Sequence, residues 1–546
     1  MMRTEAALGH QLVAPGALPA EVDLLVIGGG ITGAGVALQA ARRGVGVLLV
    51  DARDFAGGTS SASSKLVHGG LRYLSHGGLR LARESLRERA ALLAAAPGLV
   101  EPQAFVLPAY AGRRPSRRVA GLGLALYDLL AGARTRRWLP ADELLLHAPH
   151  LAREGLLGGW RYGEARTDDA RLVLRVLDEA QSHGARLRNH CRVEGLIRDA
   201  AGQVCGANLH DARSQHEHAV RSLRLHAVRA RCVVSATGAG ADTLRAQLGA
   251  PPLLRPLRGS HLMLPLWRLP LAHAVAFMHP ADGRPVFAYP WEGAALVGTT
   301  DIDHRDGSAP ATATAAEIEY LLAALKAQFP SLDLSRGDLV SAWAGLRPVV
   351  AGGHADPSKE ARDMLLRDDH GLLTMSGGKL STFRPMAVAA LKLAAPRLAM
   401  LATRGPARDG PLFAAVAPPQ GLSALGSDAA RRLLGRHGRH TAALLAAAQP
   451  GELGAVPGTP TLWAELRWAA RAEAVCGLDD LLLRRVRIGL VLPNGAAALL
   501  PQLRAIVQPE LGWDDATWQT QETRYRAGVA QSLAMPAGTG PAAAPA

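Results

Sequence analysis

The sequence predicts an α/β protein: a discontinuous Rossmann-like dinucleotide-binding domain, an antiparallel β substrate domain and a helical C-terminal domain. Three observations carry this. An apolar run, a glycine cluster, a helical stretch and a second apolar run fit within residues 22–51. Short strand-like runs dominate 186–240 and 255–300. Beyond residue 400 the pattern is helical. A chain of 546 residues is too long for one simple core, so two or three domains are expected. The expected boundaries are a flexible leader at 1–20 and a dinucleotide-binding domain from 21–100, 165–255 and 345–395. The substrate domain takes 101–164 and 256–344, the helical domain 396–527, and a disordered Ala/Pro-rich tail 528–546.

Each element follows from its residues. VDLLVI at 22–27 is a buried strand, and the helix runs from Gly33 to Arg43. VGVLLV at 45–50 is the second strand, ending at Asp51. Between them Gly28-Gly29-Gly30-Ile31-Thr32-Gly33 is a GxGxxG. Gly28 permits the tight turn, Gly30 lets backbone approach a pyrophosphate, and Gly33 lets helix pack on strand. The helix N-terminus faces the phosphates, and the Asp51 carboxylate can accept bonds from an adenosine ribose. Helices are expected at 79–95, 119–133, 170–182 and 315–328, and from about 385. Strands include HLMLPL, VFAYPW, ALVGTT and LLTMS at 372–376, and the His-rich insert 208–229 reads as an exposed hairpin. Further helices are expected at 428–448, 461–475 and 479–490.

One fingerprint, not two, argues against a chain that binds both FAD and NAD by this motif. A later apolar strand runs into Ala236-Thr237-Gly238, and a glycine pair, Gly377-Gly378, opens a further helix. FAD is longer than one βαβ unit can cover, so several separated backbone approaches suit FAD better than NAD. The net charge of +14 could serve nucleic acid, but aromatics are only 4% and no nucleic-acid module is visible. An anionic lipid surface or an anionic substrate is the better reading. Four cysteines, none in a CxxC pair, suit no metal site and read as buried thiols of a reducing compartment. No signal peptide or spanning run is visible, so the expected location is cytoplasmic. Only five of the 61 basic residues are Lys, so a retained Lys marks a place where a compact ammonium is wanted.

The segment TSSASSKLVHGGLRYL at 59–74, with the GxGxxG, closely resembles the FAD-dependent glycerol-3-phosphate dehydrogenases of the respiratory type. DDARLV at 168–173, ATG at 236–238, RGSHLML at 258–264 and PVFAYPWEG at 285–293 follow in the same order. So do GTTD at 298–301, AGLRP at 344–348 and GGKLSTFR at 377–384, while DDLLLRRVRIGL at 479–490 resembles that family's helical C-terminal domain. Ser381 and Phe383 depart from the pattern, standing where Thr and Tyr are expected. The resemblance implies oxidation of sn-glycerol 3-phosphate to dihydroxyacetone phosphate, hydride passing to FAD and electrons to a membrane quinone. It also implies peripheral attachment to the cytoplasmic face of the inner membrane, and is compatible with a homodimer. Rival readings are an oxidase using O2, an amine or amino-acid oxidase, and a redox-inactive membrane-associated flavoprotein.

A phosphate dianion needs cations in a cleft. The candidates are Arg72, Arg347, Arg362, Lys379 and Arg384, and the resemblance places Arg72, Arg347, Arg362 and Lys379 around substrate, with Tyr73 beside Arg72. His261, directly after Gly259-Ser260, is the candidate base, and Arg347 is the runner-up despite its high pKa. Thr59, Ser60, Ser61, Ser64 and Lys65 form a hydroxyl-rich loop suited to pyrophosphate or isoalloxazine. Ala236, Thr237 and Gly238, then Gly378, Lys379, Leu380 and Ser381, complete the expected cofactor set. Asp168 and Asp169 read as helix caps. The apolar helix 119–133, flanked by arginines, reads equally as an interfacial helix and as a buried helix with a basic rim.

Overall fold

The computed structural model describes residues 11–13, 16–71, 78–213, 225–304, 311–352, 364–398 and 410–533. Strand Glu21–Ile27 lies between Val47–Val50 and Leu225–Ser235, parallel to both. Leu372–Gly377 extends the sheet beyond Leu225–Ser235, and Arg186–Arg188 beyond Val47–Val50, again in parallel. Leu24, Leu25 and Val26 have no exposed surface, as befits a strand covered on both faces. Four helices matter below: α1 (Ile31–Ala41), α2 (Leu79–Ala95), α3 (Arg117–Ala131) and α4 (Asp169–Ser182). α1 and α4 share one core with helix Phe383–Ala394 on this sheet. Strands Val204–Asp211 and Leu225–Ser235 pair as a hairpin up to His210↔Leu225, as the His-rich insert suggested; its residues 214–224 lie outside the described ones.

Among the described residues the second sheet has nine strands and is antiparallel except where Ala274–Met278 runs parallel to Val100–Tyr110. Its strand Leu254–Pro265 pairs with Ala294–Gly298 on one side. On the other it pairs with Ser341–Val350, placing His261 opposite Trp343 and Leu257 opposite Arg347. Residues 345–350, which the sequence reading placed with the dinucleotide domain, pair into this sheet. Gly345 stands opposite Gly259 and Pro348 opposite Pro256.

The C-terminal region corrects two helices. The stretch 428–448 divides at Gly438, whose φ is +53°, into Ser427–His437 and Thr441–Ala447. The stretch 479–490 is one turn, Leu478–Asp480, then a wide turn at Leu481–Arg485, and it breaks at Arg487 with φ +65°. In a regular helix Arg485 would stand about 100° from Arg484 and about 160° from Arg487. The break lets all three reach the dinucleotide domain: Arg485 grips Asp54 with two bonds of 2.7 Å, Arg484 adds one of 2.6 Å, and Arg487 reaches Asp169 at 2.9 Å.

Exposure bears on two expectations. α3 buries Leu124, Tyr127 and Asp128, while Val119, Leu122 and Leu129 are 64%, 75% and 76% exposed. Its outer stripe is therefore apolar, and it is not a buried helix. Cys191 and Cys232 are buried, and burial pushes their thiols up to about 12 and about 11. Cys205 and Cys476 are only half-buried, against expectation.

Candidate active site

The glycine loop sits at the carboxyl ends of the central strands, where open α/β sheets hold ligands. Gly28 has φ +111°, and a Cβ there would lie 2.5 Å from the Ala236 carbonyl oxygen. The Ala236 amide donates to the Ile27 carbonyl at 2.8 Å, so the ATG segment backs directly onto the loop. A Cβ on Gly33 would lie 1.9 Å from the Gly28 carbonyl oxygen. Gly30 differs: its φ of −80° suits any residue, and a Cβ there would meet only the Ser60 side chain, its hydroxyl at 3.0 Å. That space lies at the N-terminus of α1, whose cap carries no side-chain bond and whose first turn has no acid. The Ile31 amide donates to the Ser60 hydroxyl at 3.0 Å. A helix N-terminus with open space and no competing anion fits a pyrophosphate. Asp51 accepts from the Gly29 amide at 2.7 Å and the Arg53 amide at 2.8 Å, so it anchors the loop; each oxygen retains a lone pair for a ribose hydroxyl. Burial raises its pKa.

His261 is buried and stacks on Trp343, ring centroids 5.4 Å apart. Its Nε2 lies 2.9 Å from the Ser64 hydroxyl, which can donate or accept as the ring requires. Burial, then Arg347 and Lys65, hold His261 well below its usual pKa, so the imidazole is neutral at pH 7. Arg347 is rigidly oriented: Nη1 donates to the Thr300 carbonyl at 3.0 Å and to Asp301 at 2.8 Å, and Nη2 to the Thr299 hydroxyl at 3.1 Å. A Cβ on Gly259 would lie 2.7 Å from Arg347 Nη2, so glycine there makes room for the guanidinium. A neutral imidazole and a fixed guanidinium thus share one end of the second sheet.

The loop 59–65 closes the other side. Thr59 donates to the Leu346 carbonyl at 2.5 Å, and a Cβ on Gly345 would lie 2.3 Å from the Ala62 carbonyl oxygen. Lys65, expected at the cofactor, has no exposed surface: its ammonium binds Asp169 at 3.1 and 3.2 Å and the Ser61 carbonyl at 2.9 Å. Burial and the nearby Arg487 lower it to about 8, against the pull of Asp169. Lys65 therefore braces the loop from within. Asp168 does cap α4, accepting from the Arg171 amide at 3.1 Å, but Asp169 does more than cap. It takes bonds from Ser63, Lys65 and Arg487. Reading the pair as caps missed this, because Arg487 lies 318 residues further on.

The third segment brings Gly377 and Gly378 into positive φ, 73° and 68°, ahead of the turn Leu380–Thr382 that contains Ser381. Ser376 donates to the Gly238 carbonyl at 3.2 Å, which joins this segment to Thr237 and Gly238. The Lys379 ammonium reaches the Ser85 hydroxyl of α2 at 2.7 Å, and Arg384 lies 3.7 Å from Glu88 of the same helix. Phe383 is buried against Gly35 of α1, which accounts for a ring without a phenol hydroxyl there. Arg72, Tyr73 and Arg362 lie outside the described residues.

Comparison with known proteins agrees with this geometry. The family model described as FAD dependent oxidoreductase matches residues 23–384, and that described as C-terminal domain of alpha-glycerophosphate oxidase matches 407–518. An aerobic glycerol-3-phosphate dehydrogenase of Staphylococcus aureus is 35% identical over 489 residues, covering 85% of this chain and 86% of the relative. One from Staphylococcus haemolyticus is 37% identical over 384 residues, covering 69% and 68%. The solved glycerol-3-phosphate dehydrogenase of Bacillus halodurans, complexed with FAD, superposes with a TM-score of 0.73 at 30% identity, covering 94% of this chain and 95% of that one. An L-alpha-glycerophosphate oxidase of Mycoplasma pneumoniae shares the fold at 19% identity and a TM-score of 0.52, covering 68% of this chain and 94% of that one. With a glycine cradle that fits a pyrophosphate and this similarity across both its parts, the chain belongs to the FAD-dependent oxidoreductases of the aerobic glycerol-3-phosphate dehydrogenase family.

Proposed function

We propose that the protein oxidises sn-glycerol 3-phosphate to dihydroxyacetone phosphate. The observation that carries this reading is a buried, neutral His261 beside the rigidly held guanidinium of Arg347. FAD, when bound, supplies the acceptor for the hydride that leaves C2. His261 takes the hydroxyl proton, so loss of proton and hydride together leaves a C2 carbonyl. Arg347 binds the phosphate by charge-assisted bonds, with Arg72, Arg362 and Lys379 as further cations of the substrate site. Gly28, Gly30, Gly33 and Asp51, with Ala236–Gly238 and Gly378–Ser381, hold the dinucleotide. Thr59, Ser60, Ser61 and Ser64 line its flavin side. Anaerobic addition of glycerol 3-phosphate should bleach the flavin band; an unbleached band in FAD-replete protein would overturn the reading.

The acid limb of the pH profile offers a second check. The base must be neutral to act, and burial, Arg347 and Lys65 all disfavour its protonation. The limb of kcat/KM should therefore fall below pH 6.5, with a plateau through neutrality. A limb at or above 6.5 would assign the proton to another group.

We further infer that electrons leave to a quinone at an anionic bilayer. Among the described residues no helix is long and apolar enough to cross a membrane. α3 instead offers Val119, Leu122, Leu126 and Leu129 outward, between Arg113, Arg114, Arg117 and Arg118 on one side and Arg134, Arg136 and Arg137 on the other. Glutamate at both Leu122 and Leu129 should weaken binding to anionic vesicles by roughly 100-fold or more, since each leucine buries about 1.5–3 kcal/mol of apolar surface. Turnover with a water-soluble acceptor should be unchanged. Added salt should weaken vesicle binding by the wild type. After anaerobic reduction, a soluble quinone should reoxidise the flavin faster than O2; stoichiometric hydrogen peroxide with faster O2 reaction would establish the oxidase instead.

A further inference from the structure

Asp169 is held from two directions. From the loop come the Ser63 amide at 3.0 Å, the Ser63 hydroxyl at 2.7 Å and the Lys65 ammonium at 3.1 Å. From the C-terminal segment comes Arg487, fully buried, whose Nη2 donates both to Asp169 at 2.9 Å and to the Ser61 carbonyl at 2.9 Å. Its Nη1 is fixed on the Leu483 carbonyl at 2.8 Å, and its Nε lies 3.6 Å from Asp168. Lys65 alone could neutralise Asp169. Lys65 also joins Asp169 to the Ser61 carbonyl, but from within the loop; what Arg487 adds is a rigid planar tie from the same two acceptors to the Leu483 carbonyl of the C-terminal domain. Three residues beyond Ser61 the loop reaches Ser64, whose carbonyl is held by the Tyr289 hydroxyl at 2.7 Å and whose hydroxyl meets His261 at 2.9 Å.

We propose that Arg487 is a positioning residue for the alcohol oxidation. Acting through Asp169 and the Ser61 carbonyl, it fixes the loop that holds Ser64 against His261. The inference rests on the reading of His261 as the base. It assigns the C-terminal domain a part in the chemistry of a site built by the other two sheets, without contact to substrate or cofactor. A base displaced by about 1 Å loses roughly 100-fold in rate, so the bridge needs only a small play to matter.

The test is anaerobic stopped-flow reduction of FAD-replete protein by glycerol 3-phosphate. Arg487→Met is expected to slow the limiting rate per bound flavin by about 10- to 100-fold, with the substrate concentration for half-saturation changed by less than about threefold. In a Ser64→Ala background the same substitution should have little further effect, because both act along one line to His261. A role in folding alone would lower Tm or flavin content but leave the rate per bound flavin intact. An unchanged rate, or equal fold-losses in the two backgrounds, would overturn the proposal. Should Arg487→Met lose its flavin, Ser63→Ala cuts the loop end of the same bridge. It should slow reduction by about 3- to 10-fold, again only when Ser64 is present, and an unchanged rate there would overturn the proposal too. If the wild type itself is not bleached, the functional reading has failed, not the bridge.

Discussion

Replacing Arg347 by alanine is expected to lower kcat/KM for glycerol 3-phosphate by roughly 30- to several-thousand-fold while leaving FAD content at the wild-type level. A desolvated, charge-assisted contact is worth about 2–5 kcal/mol, and that range of fold-change is its conversion. Arg347 is held by Thr299, Thr300 and Asp301 before substrate arrives, so little ordering is left to do on binding. The variant should also fold, because Asp301 keeps Arg284 3.5 Å away. Steady-state kinetics with flavin absorbance on the same sample checks both halves. Unchanged kcat/KM would move the phosphate to other cations.

Gly30→Val should fold and yet purify without flavin. The three glycines of the fingerprint are not equivalent. A side chain on Gly28 or Gly33 would strike backbone, at 2.5 and 1.9 Å, and damage the βαβ unit itself. Gly30 has ordinary backbone angles and only a serine side chain within reach. Its valine branches would enter the space above the α1 N-terminus and displace a pyrophosphate rather than the chain. Flavin absorbance against protein, beside circular dichroism, separates loss of cofactor from loss of fold. A normal flavin content would mean that the phosphates lie elsewhere.

The parts of this architecture that were legible are those governed by local rules. The strand–glycine–helix–strand unit, the helix at 315–328 and the strand at 372–377 follow from periodicity and turn chemistry over short spans. His261 and Arg347 could be singled out because each sits in a compact motif, and the sheet then brings their strands together in register. Long-range partners were not legible. Nothing near Asp169 announces Arg487, and nothing near Asp54 announces Arg485; burial of opposite charges 318 and 431 positions apart leaves no periodic trace. Arg487 misled for the same reason: helical composition around it is real, yet its ion pair favours a left-handed backbone that ends the helix. Lys65 was noticed as a rare lysine, but composition could not say that its ammonium turns inward.

The arginines at 484, 485 and 487, the last two fully buried, bear on how the chain is made. During synthesis Asp54, Asp168 and Asp169 leave the ribosome hundreds of residues before the guanidinium groups that pair with them. Lys65 can neutralise Asp169 from the start, but Asp54 pairs with Arg484 and Arg485 and stays hydrated until they arrive, since an unpaired buried charge is far costlier than a solvated one. The last part of the chain thus completes the packing of the first, since the buried pairing of Asp54 needs residues 484 and 485.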